Sequence, residues 1–432
     1  MRHIDSKSYL TKVKEFIKEK NRCVPQKITG KTYDRRKDQE YSRRLKSLTR
    51  NFTKTYPLHT ITNEPREQSK FFHAVYQNKV YNPDFHYQRK TALSYEKSLT
   101  LLKKLDQFAK ILKPEQGLDQ IYLRRIFDAQ KVIILNTLSQ KKGFSWASRQ
   151  YYNFHPSPKL KLPTTFSFPV NKAESIEAYE VTYLAQKIIF RLGLKHRARI
   201  SPYNSRFRGL ATTKNKIGIG VGTLRSPAHI IRSLAHEILG HALVSLNSHK
   251  YPAFFARHNS ALALRKEEGL AVKLGELAYQ KLKHLLPAPM RSKKEDYIPL
   301  LRIKAILAAR TRSFYATFKY LTHQLKINDY LGWEFTVRAK RGIANTILPG
   351  ANYHDILYFL GLQEINHLIP KEKDDFSKTI ALLGILNQGK FDLNEFQFLK
   401  NYFPSFQCLS LDHFFTLFQK ELGKIIKNKF SR

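Results

Sequence analysis

The sequence predicts an α+β chain that is predominantly helical, with a small sheet. Three observations carry this. Long segments place apolar residues at helical intervals, with Pro and Gly between them. Only two short stretches, Arg197 to Ile200 and Lys216 to Gly222, show the pattern of strands. One apolar, helix-compatible run, Ser233 to Leu243, holds two histidines and a glutamate, and ionisable groups on a buried helix require partners.

Taken in order, residues 1–56 hold 17 Lys/Arg against 6 Asp/Glu, a net of +11. Lys7 to Lys20 suits a short basic helix, and the remainder, through Arg35-Arg36-Lys37 and Arg43-Arg44, reads as a basic arm, usually a solvated extension. From Pro57 the pattern becomes globular, and Tyr81-Asn82-Pro83-Asp84-Phe85 is a turn flanked by aromatics. Helices are expected over Lys90 to Leu112, Gln116 to Ser139 and Ser175 to Leu192, with a Pro- and aromatic-rich connector from Tyr151 to Pro169. The Gly-alternating strand Lys216 to Gly222 reads either as a core strand or as an edge open to an extended peptide. Its spacing is not GxGxxG, so it is no dinucleotide fingerprint. Helices are expected again over Leu262 to Lys283 and 297–325, then a Gly/Pro/Asn loop, Asn345 to Tyr353, before an apolar helix. The domain reading is 1–56 as the arm, 57–370 as the catalytic body and 371–432 as a C-terminal helical extension.

Composition bounds the partners. Lys+Arg 76 against Asp+Glu 34 leaves +42, which favours polyanions such as an acidic protein tail, nucleic acid or an anionic surface. With only 2 Cys, no disulfide framework and no Cys-rich zinc site can form. No apolar run reaches membrane-spanning length and no signal-peptide core opens the chain, so cytoplasmic residence is the expectation.

The chemistry concentrates in His236-Glu237-Ile238-Leu239-Gly240-His241. Histidines four apart lie about 40° from each other around a helix and reach one metal; five apart, they diverge by about 140°. Two readings stand. Either a π-type bulge, eased by Gly240, turns both rings to one cation, or Glu237 and His241 form a surface pair on a regular helix. His229 is a weaker alternative ligand on the same helix.

This HExxxH segment, with Glu267-Glu268-Gly269-Leu270-Ala271 following, resembles the paired motifs of the tyrosine carboxypeptidase family. Those zinc peptidases include eukaryotic members that remove the C-terminal tyrosine of α-tubulin and bacterial relatives carrying QEGLA. Phe71-Phe72, Tyr81 to Tyr87, Arg338-Ala-Lys-Arg341-Gly342 and His354-Asp355-Ile-Leu-Tyr358 add family-like pieces, although His354 stands where the family tends to have lysine. The resemblance implies a zincin-like metallopeptidase domain with helical additions. It implies Zn²⁺ held by His236, His241 and Glu268, and Glu237 as general base. A carboxypeptidase also needs a cation for the terminal carboxylate, for which Arg338 and Arg341 are the candidates, and an oxyanion donor, for which Tyr353 and Tyr358 are. The expected substrate is a protein or peptide C-terminus, an acidic tail suiting the charge. The competing readings are a zinc endopeptidase and a basic nucleic-acid-binding protein with a structural or vestigial metal site. The latter is disfavoured because no nucleic-acid motif is present.

Overall fold

The computed structural model describes residues 5–25, 27–53, 61–87, 93–153, 176–194, 199–203, 210–213, 216–220, 226–258, 260–286, 288, 291, 297–369, 376–403 and 411–430. Helices predominate, and the chain divides into two compact units. The first comprises residues 1–167, 299–356 and 397–402; the second comprises 168–298, 357–396 and 403–432. Most of the Tyr151–Pro169 connector lies outside the described residues. Among the described residues no helix is long and apolar enough to cross a membrane.

In the first unit the organising element is the helix Gly117–Thr137, 17 of whose 21 residues are buried. Tyr122, on this helix, donates its hydroxyl hydrogen toward Asp38 O and Oδ1, at 2.8 and 2.7 Å. Asp38 belongs to the helix Arg35–Thr53. The helix expected over Lys7 to Lys20 is present as Ser6–Cys23, and the remainder, read as a solvated extension, instead forms Arg35–Thr53 with Asp38, Tyr41 and Ser42 buried. Tyr9, Val13 and Ile17 of Ser6–Cys23 are inside, at the four-residue spacing that makes one stripe. The charges occupy the opposite face, which is why net charge alone misled.

A second core of this unit gathers around Phe71. Its ring meets Phe314, Phe318 and Trp333 at centroid distances of 5.3, 4.8 and 5.1 Å. The single long helix expected over 297–325 is broken into Ile298–Thr311, Phe314–Lys319 and a π-turn at Tyr320–Gln324. Ser313 is the cause, since its side chain caps the second piece by accepting from the N–H of Ala316.

The second unit carries a three-stranded sheet in the order β1 (Arg199–Tyr203), β3 (Lys216–Gly220), β2 (Leu210–Thr213). β3 pairs parallel with β1 and antiparallel with β2. It is thus the central strand, hydrogen-bonded on both sides, with Ile217 and Ile219 buried. The edge-strand reading of its glycines is overturned, because neither edge of β3 is open to a peptide.

Removing the ring at the centre of the aromatic core should be expensive. Phe71→Ala is expected to destabilise the first unit by about 3–5 kcal/mol, measured as a drop in the chemical-denaturation midpoint.

Candidate metal centre

The helix that carries the histidines begins at Ser226, whose side chain accepts from the N–H of His229, with Pro227 in the first turn. Ile230, Ile231 and Leu234 are wholly buried and anchor it. At His236 the helix widens, and His236–Leu243 runs as a π-helix before α-helix resumes at Val244. In π-helix the hydrogen bonds link residues five apart, so positions five apart sit above one another. The two rings converge as a result, with His236 Nε2 and His241 Nε2 3.1 Å apart.

Gly240 has a different task from the one its sequence position suggested. A Cβ there would fall 2.1 Å from Ala271 Cβ and 2.6 Å from Ala271 Cα, so the glycine admits the neighbouring helix Ala261–Leu282. Gly275 does the same against Arg232 O, at 2.9 Å. Gly269 faces elsewhere, toward Gly361 of the helix Ile356–Leu368, where an added Cβ would lie 2.0 Å from the Gly361 carbonyl carbon. These contacts bring side chains from three helices together.

Glu268 Oε2 lies 3.4 Å from His236 Nε2 and 3.5 Å from His241 Nε2. The three donor atoms therefore form a triangle with edges of 3.1, 3.4 and 3.5 Å. Ligand atoms on a tetrahedral zinc, each about 2.0–2.2 Å from the ion, stand about 3.3–3.6 Å from one another. The donor set thus suits that ion in type, and in spacing on the two edges to Glu268, with the edge between the imidazoles, at 3.1 Å, slightly short. Glu268 Oε2 and Glu237 Oε2 are also buried without a hydrogen bond, an arrangement that calls for a cation. Glu237 contributes an atom to a cluster within 4.8 Å of both histidine nitrogens. We place it beside the triangle, since Glu268 is the nearer carboxylate.

Electrostatics point the same way. Burial by itself would push the His241 imidazole down; the carboxylates of Glu268, Glu267 and Glu237 outweigh it and hold it well above its usual range. Burial opposes ionisation of Glu268 too, but His241 and His236 hold it well below the carboxylate range. Several buried carboxylates around two imidazoles require positive charge, whether proton or metal.

Sequence reasoning missed Glu267. Its Oε1 lies 2.7 Å from His241 Nδ1, so that nitrogen carries the hydrogen and Nε2 offers its lone pair to the triangle. The signal was present as a second carboxylate next to Glu268, about 100° further round the helix. Tyr358 stacks on His236, with centroids 5.9 Å apart and planes at 22°. His229 joins its Nε2 to Ser233 Oγ at 3.0 Å and has no place in the cluster.

Arg338, Arg341 and Tyr353 belong to the first unit. Arg338 grips Asp355 with both arms of its fork, Nη2 at 2.9 Å from Oδ1 and Nε on Oδ2. Arg341 is half-buried; its backbone carbonyl accepts from Asn352 Nδ2 at 3.1 Å, while its guanidinium has no hydrogen bond or ion pair among the described residues, and burial and the adjacent Arg338 push its pKa down. Tyr353 is buried, its backbone N–H donating to Ser148 Oγ at 2.8 Å.

Two outcomes follow from this geometry. Gly240→Ala should force the two helices apart and cost on the order of 1–3 kcal/mol or more, read as a lower thermal midpoint of the metal-free protein. Asp355 is a pH-sensitive group away from the cluster: burial would raise it, but Arg338, His354 and Arg302 hold it well below its ordinary value. A depressed carboxylate contributes stability that is complete above its unfolded value of about 4 and is lost as pH falls through the folded one. Asp355→Asn should therefore lower stability near neutrality and flatten its dependence on pH below about 4, as measured by denaturation across that range.

A family model described as microtubule-associated tyrosine carboxypeptidase matches residues 69–421, a span that includes both histidines, all three glutamates, both arginines and both tyrosines discussed above. Comparison with curated proteins gives no match. With most of its length matched, the chain belongs to the microtubule-associated tyrosine carboxypeptidase family.

Proposed function

We propose that this protein is a zinc-dependent carboxypeptidase that removes the C-terminal residue, tyrosine in the first place, from a protein or peptide. The observation that carries the reading is the triangle of His236 Nε2, His241 Nε2 and Glu268 Oε2, with its 3.1–3.5 Å edges and its unbonded buried carboxylate oxygen. The family supplies the reaction class. A motif helix packed beside a small sheet supports a zincin-like arrangement.

Zinc held by these three residues would supply a Lewis acid for the scissile carbonyl and lower the pKa of a bound water to about 7. Glu237 is the general base. It is adjacent in sequence to a ligand and buried, with one carboxylate oxygen free of hydrogen bonds, so it can take a proton from the attacking water and pass it to the leaving amine. Tyr358, fixed by its stack on His236, is the tyrosine proposed to donate to the developing oxyanion. Glu267 keeps His241 in the tautomer that offers Nε2.

For the substrate carboxylate, Arg341 is preferred to Arg338. The fork of Arg338 is already filled by Asp355, whereas Arg341 has no competing anion bonded to it. A guanidinium with unfilled donors suits a terminal carboxylate, bound through two parallel hydrogen bonds. The charge of +42 suits an acidic tail as the natural substrate.

Metal analysis of the purified protein should give about one zinc per chain. His236→Ala should lose it, while Glu237→Gln should keep it with turnover down about 10²–10⁴-fold. A peptide ending in tyrosine should be shortened by one residue, and its C-terminal amide should resist. Cleavage of the amide at internal bonds would instead make the protein an endopeptidase. Arg341→Ala should raise KM for the free-acid peptide by at least about 10-fold, consistent with loss of a charge-assisted hydrogen bond.

A further inference from the structure

The π-turn that aligns the histidines is held from outside the helix. Shifting the ladder by one residue exposes carbonyls that a regular helix would seal, and side chains can then reach them. Two do so here. Thr212 Oγ1, from β2, donates to Glu237 O at 3.2 Å. Asn387 Nδ2 donates to Leu239 O at 2.7 Å, in the middle of the π-turn. Asn387 follows the helix Phe376–Leu386 and is fully buried.

The orientation of this amide is fixed at its other end. Asn247 Nδ2 donates to Asn387 Oδ1 at 3.2 Å, so Asn387 must turn its own nitrogen toward Leu239. Asn247 lies on the α-helical continuation of the same motif helix. One side chain thus spans the junction where π-helix returns to α-helix.

The turn bearing Asn387 is tied in its turn to the other ligand-bearing helix. Lys266, wholly buried, donates to Leu386 O at 2.8 Å and to Gly389 O at 2.7 Å, and its ammonium sits 4.3 Å from the centroid of the Phe391 ring. Lys266 immediately precedes Glu267 and Glu268. The turn at 386–389 therefore bonds to the helix of His236 and His241 on one side and to the helix of Glu268 on the other.

We infer that Asn387 is a positioning residue for the metal centre: its amide holds the π-turn at Leu239 so that His236 and His241 face the same point, and Lys266 locks it in register with Glu268. The inference rests on the metal-binding reading above. No part of it was visible in the motifs, because residue 387 is more than a hundred positions from either one.

The test uses the full chain, stripped of metal and reloaded with Co²⁺ or Zn²⁺. Asn387→Asp keeps the shape but cannot donate to Leu239 O. It should weaken zinc affinity about 10–100-fold, the range for loss of a supporting contact, and change the visible Co²⁺ spectrum, which reports coordination geometry. Leu383→Ala, a buried apolar truncation on the preceding helix, should lower the thermal midpoint yet leave spectrum and affinity unchanged. Asn247→Ala frees the amide to rotate and should move both readouts in the same direction by less, so the question stays answerable if the aspartate variant does not fold. A wild-type spectrum and affinity in Asn387→Asp and Asn247→Ala, with only stability reduced, would sink the inference and leave the metal reading standing. A wild-type protein that takes up neither Co²⁺ nor Zn²⁺ overturns both.

Discussion

Two imidazoles five positions apart cannot meet on a regular α-helix, and everything around them follows from the π-turn that lets them do so. Between His236 and Leu243 the ladder runs with bonds five residues apart, and the ring nitrogens close to 3.1 Å. The distortion is unfavourable by itself, since π-geometry is rare and short-lived along natural helices. It is sustained here by the buried apolar residues of the helix before it and by side-chain donors to two of its carbonyls.

The carboxylate side of the cluster depends on absent side chains. Gly240 lets Ala271 approach, and Gly269 meets Gly361 backbone to backbone. Each contact is closer than any Cβ would permit. Through the first, the helix with Glu267 and Glu268 lies directly on the π-turn; through the second, the helix with Tyr358 lies on that one. A cluster with three glutamates and two histidines then has a charge problem, visible in the upward shift of His241 and the downward shift of Glu268. A divalent cation would resolve it with better geometry than a proton, because it could contact all three donors at once.

Buried lysines show a second way of handling charge. Lys340, two residues after Arg338, donates to the carbonyls of Ala309, Arg312 and Leu348 at 3.2, 2.6 and 2.8 Å. Burial pushes its amine down to about 7. Three carbonyl partners, however, call for three N–H groups, which only the ammonium form supplies. Lys266 is handled in the same way by two carbonyls and an aromatic face. Both lysines act as cross-links between segments distant in sequence, a use of positive charge that the overall +42 does not reveal.

The sequence by itself determined the helical character, the pairing of HExxxH with EGLA, and the family those motifs resemble, because each is a local pattern of residue types at fixed spacing. It left open whether the helix bulges, since 140° of divergence or convergence is decided by packing and not by His236 and His241 themselves. It did not show that Gly240 meets Ala271 or that Gly269 meets Gly361, and it took the stretch after Lys20 for a solvated arm although Asp38, Tyr41 and Ser42 are buried there. Glu267, Thr212, Lys266 and Asn387 acquire their roles only when three helices and a strand meet. Tertiary structure alone decides which buried donor finds which carbonyl, because hydrogen-bond partners separated by a hundred residues leave no periodicity for a sequence to display.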